Sequence, residues 1–217
     1  MAELAPITDY ATLKAAVSAM AERSDADYTD SIPLFIQQAE TILFSQLRCP
    51  GNEKLGTYLA SQRDNTSGVM IPTDYLEAKF CAYGSAPLER VSDVRMLSLL
   101  NGDAPAGTPK YFARIDNSLY FWPVAATNEN VALQYYSAQG PIADTGSTKM
   151  LLIAPFAYLY GALEVGALFT RDAQMAQEWG QRFIGEINRL NDQAMDNEVA
   201  GSTVVVSDFT ASSTGGW

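Results

Sequence analysis

A chain of 217 residues can hold one domain with an insertion or two small ones, and 47% apolar against 18% charged residues excludes an unfolded chain. The net charge of −11 and a pI near 4.3 argue against non-specific adhesion to DNA, though not against standing beside it. Histidine is absent, which removes the commonest metal ligand and neutral-pH base. The two cysteines, Cys49 and Cys81, form no CxxC pair and are too few for a disulfide framework.

The opening "MAELAPITDYATLKAAV" has early acidic residues and no basic flank before an apolar run, so no signal peptide is read and synthesis in the cytoplasm is expected. Residues 7–24 predict a helix, capped by Thr8 or Asp9, with Leu13, Val17 and Met20 at helical spacing. A second helix is expected over "DSIPLFIQQAETILFSQLR", capped by Ser31 or Asp30 with Pro33 near its first turn. Its apolar stripe is Phe35, Ile36, Ala39, Ile42, Leu43 and Leu47, and Cys49-Pro50-Gly51 ends it. The polar "NEKLGTYLASQRDNTSG" reads as a loop.

The middle is β-rich. "PKYFARIDNSLYFWPVA" predicts a hairpin about Asp116-Asn117-Ser118, "NVALQYYSAQ" a third strand and "DYLEAKFCAYG" a fourth. "SDVRMLSLLNG" predicts a short helix capped by Ser92. After "QGPIADTGSTK" the helical pattern returns: one helix carries "IAPFAYLYGALEVGALF", and another runs from Asp172 to about Asn197 with Met175, Trp179, Phe183, Ile187, Leu190 and Ala194 on one face. The last segment, "AGSTVVVSDFTASSTGGW", lacks Lys and Arg and is rich in Ser, Thr and Gly. It reads as an arm with one strand-like run, Thr203, Val204, Val205 and Val206, followed by Phe209 and Trp217. The run could add to the edge of another protein's sheet and Trp217 could anchor in a partner pocket; a frayed tail is the plainer alternative.

Residues 150–169 approach the length of a membrane span, but Glu164, Pro155, Gly161 and Gly166 argue for a core helix, since a carboxylate at bilayer depth costs roughly 2.5–3.5 kcal/mol. "IADTGST" contains the Asp-Thr-Gly-Ser signature of aspartic proteases at Asp144, which needs a second Asp to share a proton and equally suits a turn. Asp74 and Glu77 are a second candidate carboxylate pair. No nucleophile elbow, P-loop or dinucleotide fingerprint is present, and no cofactor or metal is expected.

Taken in order, these segments resemble the head–tail adaptor proteins (connector or tail accessory factors) of tailed bacteriophages. The resemblance rests on Tyr10, Leu13, Arg23, Asp25, Ile32, Pro33, Phe35, Ile36, Ala39, Glu40, Leu47 and Arg48, then Pro72, Asp74, Tyr75 and Leu76. It continues through "GTPKYFARIDNSLYFWPVA" and "LQYYSAQGPI" and closes on "APFAYLYGALEVGALF" and "DAQMAQEWGQRF". It implies an α+β fold: a mainly helical bundle built from N-terminal helices (1–65) and C-terminal helices (142–198), an inserted β-rich region (66–141) and an extended arm (199–217). It further implies a virion protein at the head–tail junction, assembled with itself as a ring, usually of twelve copies. The ring sits under the portal protein, seats the tail or nozzle protein, and passes DNA through its channel without specific binding or membrane contact. Thr203, Val204, Val205, Val206, Phe209 and Trp217 are the expected portal contacts. The alternative is a tail-associated hydrolase, aspartic-protease-like through Asp144 or a carboxylate-dependent cell-wall hydrolase.

Overall fold

A computed structural model describes residues 5–58, 68–102, 105–125 and 129–201. Helix α1 (Tyr10–Met20) starts where Asp9 and Thr12 close a reciprocal cap: the Thr12 amide donates to the Asp9 carboxylate at 2.8 Å, and the Asp9 amide to Thr12 Oγ1 at 3.0 Å. Leu13, Ala16 and Val17 form its buried face.

Helix α2 (Ala26–Gln46) begins earlier than its sequence suggests, because Asp25 accepts from the Tyr28 amide and caps it before Asp30 or Ser31 is reached. Pro33 therefore lies inside the helix. It faces solvent, so the carbonyl it leaves without a helical donor can be hydrated. The expected stripe is buried except for Ile42, whose place toward the core is taken by Tyr28, Ile32, Glu40 and Phe44.

The apolar run at 153–169 is not a single helix with its flank. Short α4 (Ile142–Thr145) and α5 (Lys149–Ile153) precede it, Ala154 leaves helical geometry, and Pro155 opens α6 (Pro155–Phe169). Fifteen residues of helix span about 22 Å. Among the described residues no helix is long and apolar enough to cross a membrane. Helix α7 (Ala173–Gly201) follows a tight turn in which Arg171 has a φ of 61° and Asp172 caps the Met175 amide at 3.0 Å. It runs four residues past the expected end. Phe183, Ile187, Leu190 and Ala194 are buried as expected; Met175 is exposed and Trp179 half-buried, because Ala176 takes the inward position in that turn.

Helix α6 lies between α2 and α7, antiparallel to both. A methyl on Gly161 would stand 2.8 Å from Ala39 Cβ on one side and 3.0 Å from the Phe183 ring on the other. A methyl on Gly166 would collide with the Tyr28 hydroxyl. The glutamate of the run, Glu164, faces Gly180 of α7, where a missing side chain leaves it room.

Between α2 and α4 the chain makes two four-stranded sheets over a separate apolar core that includes Val69, Cys81, Tyr83, Phe112, Phe121 and Leu133. In the first sheet β1 (Glu53–Tyr58), β10 (Val131–Ser137), β3 (Tyr75–Tyr83) and β4 (Ala86–Pro87) lie in that order, all antiparallel. The second orders β2 (Gly68–Met70), β8 (Ser118–Trp122), β7 (Tyr111–Ile115) and β5 (Glu89–Arg90), with only β5–β7 parallel. The β7–β8 hairpin turns where expected, with Asp116 left-handed at a φ of 53°. Helix α3 (Asp93–Asn101) is capped by Ser92, and β6 (Ala106–Gly107) pairs with β9 (Val124–Ala125). Glu53–Tyr58 reads as loop in sequence yet is a strand. Its polar side chains are largely exposed, and pairing with β10 satisfies its backbone.

The close approach at α6 makes a test. Gly161→Ala should lower the unfolding free energy by about 1–3 kcal/mol through overpacking, whereas Gly185→Ala, with open space around it in α7, should raise it by about 0.5–1 kcal/mol. Urea denaturation of both variants beside the parent chain measures the difference.

Candidate assembly interface

The three carboxylates singled out in the sequence do not come together as a catalytic group. Asp144 is exposed at the end of one-turn α4, and the Asp-Thr-Gly-Ser run continues through Gly146, at a φ of 73°, to Thr148, which caps α5. The loop is tied to the start of α1: the Tyr10 amide donates to the Gly146 carbonyl at 2.7 Å, and Ser147 Oγ to the Thr8 carbonyl at 3.1 Å. It is a turn holding helices, not a strand-borne catalytic loop. Asp74 pairs with Lys54 and accepts from the Tyr135 hydroxyl, while Glu77 bridges Arg48 and Arg90 at 3.0 and 3.1 Å. The Arg48 guanidinium, aided by Arg90, holds Glu77 below the usual carboxylate range, so it stays charged and paired. Among the described residues no group of three His, Cys, Asp or Glu side chains could hold a metal ion.

What the fold does build is a polar joint between its two parts. Asn191 of α7 accepts from the Arg48 amide at 2.7 Å and donates to the Gln46 carbonyl at 3.1 Å, locking α7 onto the end of α2. The Arg48 side chain then reaches Glu77 of β3 and lies 5.6 Å from the Tyr136 ring of β10. Beneath it, fully buried Asn52 accepts from the Cys49 amide and donates to the Leu47 carbonyl, both at 3.1 Å. Buried Ser137 donates to the Asn52 carbonyl at 3.0 Å. Gln139 links the Gly51 carbonyl to the Met150 amide. The backbone that turns from helix to sheet thus has its polar groups met by four side chains, those of Asn191, Asn52, Ser137 and Gln139.

Exposed apolar side chains gather at several places outside that joint. At the start of α6, Leu152 and Phe156 are 62% and 52% exposed and Ile153 is nearly as open. Phe156 begins a stack through Tyr160 to Trp179, with centroids 5.9 and 5.8 Å apart, and the Arg182 guanidinium lies 5.0 Å from the Trp179 ring. At the other end of α6, Leu168 and Phe169 are exposed, with Phe169 resting 5.3 Å from Phe35. On the outer face of the first sheet, Leu55 and Phe80 flank Gln134 in one cross-strand row.

The arm residues Thr203, Val204, Val205, Val206, Phe209 and Trp217 lie outside the described residues. Sequence reading missed the stack, because Phe156, Tyr160 and Trp179 look like core positions of two separate helices until α6 and α7 pair. It also missed Asn52 and Asn191, whose partners are local backbone groups only after the chain has turned.

The joint predicts an asymmetry. Asn52→Ala should destabilise by about 1–3 kcal/mol, because it strands the buried Cys49 amide, although the Leu47 carbonyl keeps the Arg48 guanidinium at 2.8 Å. Lys54→Ala, which removes a half-exposed ion pair, should change stability by less than about 1 kcal/mol. Equilibrium denaturation of the two variants checks both.

Comparison with known proteins matches residues 8–207 to the model of the SU10 adaptor protein family. None of the curated proteins matches the chain.

Proposed function

The chain belongs to the SU10 adaptor protein family, a family of phage structural proteins, and we propose that it is the head–tail adaptor of a tailed bacteriophage. Copies of it, usually twelve, form a ring that docks under the portal, completes the head, seats the tail or nozzle protein and lines the DNA exit channel. The observation that carries the reading is the extent of the family match, which runs through both helical stretches, the β-rich region and on to residue 207.

In this reading the helical body, drawn from residues 1–65 (apart from β1, which pairs into the first sheet) and 142–198, is the ring's frame, and the β-rich insertion at 66–141 meets the tail or neighbouring copies. The arm at 199–217 binds the portal through Thr203, Val204, Val205, Val206, Phe209 and Trp217, the first four of which fall within the matched residues. The net charge of −11 supports a conduit that does not retain DNA, as does the commitment of Arg48, Lys54, Lys79 and Arg90 to carboxylates. The exposed Leu152, Ile153 and Phe156 at the start of α6 supply the kind of surface that subunit contacts use.

Electron microscopy of the purified protein mixed with its portal ring tests the reading, with the full chain beside one truncated after Val199. A second ring stacked on the portal and lost on truncation is the expected result. A ring that survives truncation removes the arm from the interface, and no ring in either sample removes the adaptor reading. Asp144→Asn should leave ring assembly unchanged; loss of a hydrolytic activity in that variant would instead support the hydrolase alternative.

A further inference from the structure

One polar group in the helical body belongs neither to the joint nor to any contact surface. Glu40 of α2 is only 6% exposed, surrounded by the apolar core of the bundle. Both of its carboxyl oxygens face the Ile142 amide, at 3.1 and 3.3 Å, across 102 residues of chain. Tyr158 of α6, fully buried, approaches the same carboxyl, and its hydroxyl lies 3.3 Å from Thr148 Oγ1, the cap of α5. Thr148 in turn accepts from the Leu151 amide at 3.1 Å. One carboxyl therefore sits at the hub of contacts that gather α2, α4, α5 and α6. The segment it holds, residues 141–148, is the connector from β10 back into the helices, and it contains the Asp-Thr-Gly-Ser run whose chemistry the adaptor reading leaves unused.

The connector is hollow on both sides of this hub. A cleft of about 630 Å³ lies between Glu40, Asp74 and Gln139, and one of about 480 Å³ between Glu40, Tyr10 and Asp144. The ionisable groups facing Glu40 are Tyr10 from α1, Asp144 from α4 and Tyr158 from α6, with Asp30 and Asp74 on the cleft walls. Among the described residues lining either cleft there is no Lys or Arg to balance a charge on Glu40.

We infer that Glu40 is a proton-operated latch: with its carboxyl neutral it holds the 141–148 connector against the helical body, and on ionising it lets the connector open toward the flanking clefts. The inference does not rest on the adaptor reading. An ionised carboxylate at this position would have one backbone donor and one hydroxyl to stand in for water, and would be repelled by Asp144. Opening the connector admits water from either cleft. Burial above all, with the Asp144 charge added, pushes the Glu40 pKa from an ordinary 4.5 up to about 7, against the lowering effect of the Ile142 and Tyr158 hydrogen bonds. The closed form therefore keeps a proton that the opened form gives up. Closure is strongest below pH 4.5, weakens as pH rises to about 7, and changes no further above it.

Hydrogen exchange of the full-length protein, read at the amides of residues 142–148 and corrected for intrinsic rates, tests the latch. Between about pH 5 and about pH 7.5 protection of these amides should fall roughly tenfold or more, since opening gains up to about tenfold per pH unit in the window between the two pKa values. Glu40→Gln, which keeps an acceptor but no titratable group, should abolish that fall while leaving amides in α7 as before. An equal fall in Glu40→Gln, or constant protection in the parent chain, overturns the latch. A carbon-13 titration of the Glu40 carboxyl in the parent chain needs no variant: a midpoint near 7 supports the inference, and one near 4.5 sinks it.

Discussion

The helical body depends on how closely α6 can be approached from two sides. Helices meet at the distance their contact side chains allow, and at Gly161 and Gly166 those side chains are missing. Ala39 and Tyr28 of α2 press into one flank, Phe183 of α7 into the other. The resulting core includes Leu13, Phe35, Leu43, Tyr158, Phe183 and Ile187, drawn from four helices far apart in the chain. Because α6 is enclosed over its middle turns, it needs no polar face there, and so its sequence carries the near-continuous apolar run that also suits a membrane.

A second constraint follows from that enclosure. With α2 and α7 parallel on either side of α6, their ends come together where the chain leaves for the sheets, and Asn191 and Arg48 meet there. The β-rich part is therefore attached by a satisfied polar network and not by a loose linker. Its own core, around Phe121, Leu133 and Tyr83, is separate from that of the helices. For the adaptor reading, this arrangement transmits the position of the helices to the sheets through hydrogen bonds between backbone and buried Asn52 and Ser137. Such bonds are directional, so they set orientation as well as proximity.

The return path is tied differently. The connector at 141–148 is held at Ile142 by the buried carboxyl of Glu40 and at Gly146 and Ser147 by the start of α1, where the outward path has a network of amides. Amide networks do not titrate, whereas a buried carboxyl does. If Glu40 acts as the proposed latch, the two crossings differ in their response to pH, although both bridge the same two cores.

Much of this was legible in the chain itself. The α+β class, the hairpin about Asp116, the caps at Asp9 and Ser92, and the buried run from Phe183 to Ala194 follow from spacing and local side-chain chemistry, which act over a few residues. So does the ordered series of segments by which the family is recognised. Where local signals competed, the sequence misled: Asp25 pre-empted Asp30 and Ser31 as the cap of α2, and Pro33 was tolerated inside the helix because it faces water. Glu53–Tyr58 became a strand because β10 supplied its partners, which no property of those six residues announces. The reason Gly161 must be glycine, the stack from Phe156 to Trp179, the lock of Asn191 on Arg48 and the burial of Glu40 all join residues distant in sequence. Periodicity places each of them on a face of its own element, and only the packing of one element against another decides what that face meets.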